Sequence, residues 1–508
     1  MDASRRAFLH TSASLKAASM SQGLGASSAF AVSLAAMGSA AAQTVGAGDP
    51  YKALVCLFMY GGNDSHNWVL PVDSTSHAAY AGARGGVYDA AANATGLALA
   101  NTGLTPMAAA SVTSGLQFSM APELSGLRAL YDGGKAAVMA NIGPLIQPTT
   151  KLQYKSGVTP LPPKLFSHND QQSLWQSSSP EGARYGWAGR MGDLMMGNNT
   201  TPVFTSISAT GNTVMLAGQD VVQYQVGVEG SVSMRGISGN TLNSTTGAAQ
   251  LRAAMEDTGT SALQAEYARI LKRSLGTDTT FKSKVLDLTD ISNTNKTPIL
   301  GFDPLVALPT TAYTNPISGQ PTSVANDSLA KQLRMVAQII SKNTAIGAKR
   351  QVFMVSIGGF DTHDNQPREQ AILMQRVSQS IAYFHSAISA LGMANQVALF
   401  TASDFGRTLV SNGKGSDHGW GSTHFIVGGD GVSATGAVKG GNIYGSMAPA
   451  GLGHAQDLGS GRLLPTTGVD QYAATLGKWY GISDSNLSMI LPNLANYIVS
   501  DRNLGFMA

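Results

Sequence analysis

Three runs of apolar and β-branched residues stand out in the hydrophobic pattern: Tyr51 to Met59 (YKALVCLFM), Gln351 to Ile357 (QVFMVSI) and Val397 to Ala402 (VALFTA). Continuous runs of this length, without polar alternation, predict strands covered on both faces, as in a mostly parallel sheet. Each run ends in glycine or small residues and then an acid: Gly61-Gly62-Asn63-Asp64, Gly358-Gly359-Phe360-Asp361 and Ser403-Asp404. Glycine permits tight turns and close backbone approach, and reacting groups in open α/β sheets gather at the carboxyl ends of strands.

A period of three to four residues predicts helices over Pro122–Tyr131, Asn169–Gln176, Ala248–Leu275, Asp327–Lys342, Gln366–Leu391 and Asp470–Tyr480, with another opening at Tyr185. Ala136 to Ala140 reads as a further strand, joined to the first by a crossover. Short β-like runs within 201–240 predict a small subsidiary β region, and 425–429 with 438–444 predict a closing hairpin or edge strands. Residues 74–118, rich in Ala, Gly, Ser and Thr, read as a loop, and 292–298 and 308–323 as linkers or surface excursions. The expected architecture is α/β: a mostly parallel central sheet flanked by helices, one domain over 43–508 with a β/helical insertion around 200–325.

Residues 1–42 read as an address. Ser4-Arg5-Arg6-Ala7-Phe8-Leu9 resembles a twin-arginine export motif, a weakly apolar run follows, and Ala40-Ala41-Ala42 offers a small-residue cleavage site. Lys16 and the many Ser and Gly argue against a membrane anchor. A periplasmic or secreted location and passage through the twin-arginine export machinery follow as expectations.

Composition narrows the remaining choices. The 508 residues are 43% apolar and 12% charged, enough for a large core. The net charge is +3; losing residues 1–42, with Arg5, Arg6, Lys16 and Asp2, leaves +1. No lysine/arginine block marks a nucleic-acid surface. Cys56, the single cysteine, lies mid-strand, so no internal disulfide forms and a buried hydrophobe is the expected role. A Gly-x-Ser-x-Gly elbow, a P-loop, a dinucleotide glycine fingerprint and His-Glu-x-x-His are absent from the sequence.

The chemistry therefore rests on the strand ends. Asp361 and His363 alternate, so an extended backbone points both to one side; a carboxylate and an imidazole converging there suit a cation, as they suit a plain Asp–His hydrogen bond. Asp64 follows its strand directly, and an Asx turn or helix cap serves it equally well. Ser167 precedes a predicted helix, where amides and dipole favour an anion or an activated alkoxide; capping is the simpler role. His66, His168, His363, His418 and His424 lie in or beside these same loops.

As a set, LVCLFMYGGNDSHN, LFSHNDQQ, GWAGRMG, GGFDTHDNQ, SDFGRTLVSNGKGSDHGWG, GGNIYG and LLPTTGVDQYAATLGKWYGI resemble the family called domain of unknown function 1501, which is similar to the alkaline phosphatase and sulfatase superfamily. The resemblance implies Asp64 as the first-strand metal ligand and Ser167 at the nucleophile's place. It also implies Asp361 and His363 at one metal subsite and Asp404 at the other, completed by Asp417-His418 or His424. Arg407 would pair with a non-bridging oxygen or stabilise Asp404. Phe405 stands where the superfamily carries a ligand histidine, so His418 replaces it or one metal has been lost. The implied cofactor is a divalent metal; the ligand types permit zinc, manganese, magnesium or calcium, with zinc favoured by analogy. The function implied is an exported metal-dependent hydrolase acting on a small anionic phosphate or sulfate ester. The alternative is an exported binding or assembly protein with a degenerate metal site and a protein partner. Replacing Arg5 and Arg6 by Lys is expected to strand the precursor in the cytoplasm, as read by cell fractionation; undiminished export of the double variant contradicts the assignment.

Overall fold

The three acid-terminated runs are neighbours in one sheet. A computed structural model describes residues 43–46, 48–108, 116–228, 230–231, 244–259, 261–286, 313–314, 321–322, 327–432 and 436–508. The export-like residues 1–42 and the polar stretch 292–298 lie outside the described residues. Among the described residues, ten strands form the main sheet: β1 (Lys52–Met59), β2 (Ala136–Gly143), β3 (Ser206–Ser208), β4 (Tyr224–Gly227), β5 (Gly230–Ser231), β6 (Arg350–Ile357), β7 (Val397–Ser403), β8 (Ser422–Gly428), β9 (Ile443–Tyr444) and β10 (Thr467–Gly468). Their order is β9-β2-β8-β7-β1-β6-β3-β4-β5, with β10 also on β2. The central strands β7, β1, β6, β3 and β4 run parallel, whereas β8 is antiparallel to both of its neighbours.

Residues 53–59 of β1 are buried throughout, because helices cover both faces. On one face Val55, Leu57, Phe353 and Leu399 join a core with helices α1 (Ser125–Asp132), α4 (Ser328–Ser341) and α5 (Gln366–Ala390). On the other, Phe400 packs against Trp187 and Tyr472, from α3 (Trp187–Met195) and α6 (Val469–Tyr480). Alternate residues of one strand thus serve two apolar layers, each large side chain contributing about 1.5–3 kcal/mol of transfer energy. Helix α2 (His168–Ser177) lies at β7. Met59 of β1 is level with Ile357 of β6 and Ser403 of β7, so the three carboxyl ends open together.

Several expectations changed. Residues 74–83 form a helix: Asp73 caps it by accepting from the Ser76 amide at 2.9 Å, but only Tyr80 is buried, so no apolar period marked it. The expected helix 248–275 is two, Thr245–Glu256 and Ala262–Phe281, separated at Gly259, which stands at φ 52. Ser206–Ser208 and Tyr224–Gly227 extend the main sheet, while small extra sheets pair Val69–Pro71 with Phe118–Met120 and Tyr313–Thr314 with Pro321–Thr322. Residues 422–428 are an interior strand, not an edge, and together with β7 they separate β2 from β1. Among the described residues, no helix is long and apolar enough to cross a membrane. Leu57→Ala, in the centre of this double-faced packing, should lower stability by about 2–5 kcal/mol in denaturant unfolding; a loss below about 1 kcal/mol would contradict it.

Candidate metal centre

Beyond β7 the chain turns through Asp404-Phe405-Gly406 into a hairpin, Arg407–Ser411 against Ser416–His418, with Arg407 opposite His418. Beyond β6 it passes Gly358-Gly359 to Asp361 and His363. The loop after β1 touches both. A Cβ on Gly61 (φ 117) would lie 2.4 Å from the Asp361 backbone nitrogen, and one on Gly62 (φ 81) would lie 2.2 Å from the Phe405 ring. Only glycine accepts that conformation and that contact. His168, the first residue of α2, completes the group.

Three imidazoles surround the Asp361 carboxylate. Each turns Nδ1 to an oxygen. His168 Nδ1 donates to Asp404 Oδ2 at 2.7 Å, His418 Nδ1 donates to the Phe166 carbonyl at 2.8 Å, and His363 Nδ1 lies 3.4 Å from Asp417 Oδ1. With the proton on Nδ1, the neutral ring leaves Nε2 as a bare lone pair. The three Nε2 atoms point inward: His168 lies 3.4 Å from Asp361 Oδ2, and His363 and His418 lie 3.0 and 3.2 Å from Asp361 Oδ1. His363 Nε2 and His418 Nε2 are themselves 3.0 Å apart.

So close a gathering of lone pairs repels itself unless a cation or added protons lie among them. Ligands on a tetrahedral cation with bonds of about 2.0–2.1 Å stand roughly 3.3 Å from one another; the Asp361–imidazole spacings of 3.0–3.4 Å are of that order, whereas His363 stands outside the set whose ligand atoms all lie within 4.8 Å. Two further atoms fit the same account: His168 Nε2 and Asp404 Oδ1 are buried without a hydrogen-bond partner. His168, Asp361 and His418 by themselves offer ligand atoms all within 4.8 Å of one another.

The electrostatics are divided. The hydrogen bond to Asp404 raises the His168 pKa, opposed by burial. Burial lowers that of His418, helped by the charges of His168 and Arg407 and resisted by the Phe166 bond. Burial pushes Asp361 up, but the hydrogen bond and charge of Arg407 outweigh it and leave the carboxyl below its usual value. Phe405 is fully buried, with its ring centroid 4.8 Å from that of His168 and 4.6 Å from that of His418. It walls the two imidazoles instead of ligating. The opposite side is open, since the side chains of Asp361 and His363 are 46% and 43% exposed.

The model of one protein family matches residues 51–491. The chain belongs to that family, DUF1501. Its description is "Protein of unknown function". Two solved structures show faint similarity to this DUF1501 chain. The lipoteichoic acid synthase LtaP from Listeria monocytogenes is 8% identical, with a TM-score of 0.30 over 86% of this chain and 74% of that one. Ps i-CgsB in complex with k-i-k-neocarrahexaose is 9% identical, with a TM-score of 0.33 over 90% and 77%. No curated protein matches the sequence.

The DUF1501 chain distributes the expected site residues unevenly. Asp361, His363 and His418 come together. Asp404 stands behind them: its Oδ2 accepts from His168 Nδ1, Gln172 Nε2 at 2.9 Å and the Gly61 amide at 3.2 Å. Asp417 lies at the rim, 3.4 Å from His363 Nδ1, and accepts from Asn412 Nδ2 at 3.2 Å. Asp64 is buried and taken up by Arg84, by Gln366 Nε2 and by the His66 amide at 3.1 Å. Burial raises its pKa, yet the charges of Arg84 and His66 bring the carboxyl below its usual value. His424 is buried edge-on to Trp175, 4.8 Å between centroids, and burial pushes its pKa down to about 3. The Ser167 hydroxyl donates to Asp170 Oδ2 at 3.0 Å, within its own helical turn. Arg407 is pinned to Asp361 Oδ1, the Gly61 carbonyl and Ser416.

Sequence reasoning noticed His168 but left it out of the ligand set; its signal was the imidazole in LFSHNDQQ. Gln172 and the Phe166 carbonyl carried none. Asp64→Asn, which leaves Arg84 buried without its charge partner, should cost about 3–5 kcal/mol in denaturant unfolding. The folded fraction should keep the metal content of the parent. Loss of metal from folded Asp64→Asn protein would make Asp64 a ligand.

Proposed function

We propose that this chain is an exported, metal-dependent hydrolase of small phosphate or sulfate esters. The observation that carries the reading is the convergence of His168, His363 and His418 Nε2 on Asp361, with Nδ1 of His168 and of His418 each held by an oxygen. That donor set suits a divalent cation of the zinc class. The resemblance of the motifs to the alkaline phosphatase and sulfatase superfamily supports the ester substrate, and the Arg5-Arg6 motif supports export to the periplasm or beyond.

A divalent cation held there would supply Lewis-acid polarisation of an ester oxygen. The remaining work belongs to the chain. Asp404 fixes the tautomer and ring plane of His168, and the Phe166 carbonyl does the same for His418; Asp417 lies 3.4 Å from His363 Nδ1. Arg407 holds Asp361 against rotation. Phe405 keeps water from beneath the imidazoles, and the exposed side of Asp361 leaves the ester a way in. The second reading, an exported binding or assembly protein, draws on one observation: the Ser167 hydroxyl is engaged by Asp170.

The test is elemental analysis of protein matured through its own export route, beside turnover of aryl phosphate and aryl sulfate esters. The parent should carry stoichiometric divalent metal and lose turnover on chelation. Asp361→Ala should lose both metal and turnover, while Asp364→Ala, an exposed position, should keep both. Protein without metal, whose stability chelators leave unchanged, would end the hydrolase reading. Metal without turnover would favour the binding protein.

A further inference from the structure

We propose that Arg462 is the residue that takes the anionic group of the ester, an assignment that rests on the hydrolase reading above. Two arginines adjoin the centre, and they differ in what they have left to give. Arg407 has a fully buried side chain whose three nitrogens each donate inside the protein. Its Nε donates to Ser416 O and Oγ, both at 3.1 Å. Its Nη1 donates to the Gly61 carbonyl at 3.0 Å and to Asp361 Oδ1 at 2.9 Å, and its Nη2 donates to the Ser416 carbonyl. Such a guanidinium braces loops and has no fork for a ligand.

Arg462 is half-buried and anchored by one end only. Its Nε donates to the backbone carbonyl of His418 at 3.0 Å, and its guanidinium carbon lies 5.6 Å from the centroid of the Phe166 ring. Among the described residues neither terminal nitrogen of Arg462 has a hydrogen-bond partner. Both of these side-chain contacts reach the centre: His418 as a candidate ligand, and Phe166 as the carbonyl that orients it.

Phe166 is itself strained. It stands at φ 72, a conformation that costs an aromatic residue of the order of 1–3 kcal/mol. In that conformation its carbonyl meets His418 Nδ1 at 2.8 Å while its ring backs Arg462. One unfavourable residue thus positions both an imidazole and a guanidinium. Lys164, nearby in the same loop, lies 3.7 Å from Asp170 and is turned largely to solvent. A planar guanidinium, stacked on an aromatic face with both terminal NH₂ groups open, matches two oxygens of a phosphate or sulfate group.

The experiment is calorimetric titration of inorganic phosphate, and separately of sulfate, into the metal-loaded protein, with metal content measured in parallel. Arg462→Gln should weaken phosphate binding about 10- to 100-fold, the range for a lost charged hydrogen bond, with metal content unchanged. Arg462→Lys keeps the stem and charge but loses the fork. It should fold like the parent and bind phosphate about 3- to 10-fold more weakly. Either variant, folded, metal-loaded and binding both anions as tightly as the parent, overturns the assignment. A parent that takes up no metal overturns the hydrolase reading instead, and this inference with it.

Discussion

The centre depends on one buried guanidinium. Arg407 ties the Gly61 carbonyl after β1, the Asp361 carboxylate after β6 and Ser416 of the hairpin after β7. A buried cation left unpaired costs several kcal/mol, so the loops are held to the positions that satisfy it. That constraint puts Asp361 within 3.0–3.4 Å of three imidazole nitrogens. Its origin lies deeper in the chain. Parallel pairing sets Met59 level with Ile357 and Ser403, so the loops start together before Arg407 joins them.

Roles within the centre have been exchanged relative to a simple reading of the strand ends. Asp404 follows its strand directly, as a ligand would, but its Oδ2 is spent on His168, Gln172 and Gly61. Phe405 lies beside the cluster without ligating, its ring 4.8 Å from that of His168 at the start of α2. Asp64 keeps its place at the end of β1, yet Arg84 neutralises it there. Of the three strand-end carboxylates, Asp361 alone faces the imidazoles; Asp404 orients His168 and Asp64 is taken up by Arg84.

Much of this fold was legible in the sequence for a plain reason. Strands covered on both faces need unbroken apolar runs, and β1, β6 and β7 have them. The helix over 74–83 was not legible, because with Tyr80 alone buried it has no apolar stripe and its cap, Asp73, also suits a loop. The site was half legible. Asp361 and His363 announce themselves by alternation behind two glycines, and His418 by its acidic neighbour. The pairing of Asp64 with Arg84 was hidden, since Arg84 follows a stretch that reads as loop and its partner is decided by packing. Nor does spacing tell that the Phe166 carbonyl would fix a histidine 252 residues away.

The proposed centre is one divalent cation held by His168, Asp361 and His418, with His363 beside them. X-ray absorption spectroscopy of the zinc-loaded protein tests it most directly. The expected shell contains the imidazole nitrogens of His168 and His418 and a carboxylate oxygen of Asp361 at about 2.0–2.2 Å, with no metal–metal distance near 3.5–4 Å. A shell dominated by carboxylates, or a second metal at that distance, would contradict it.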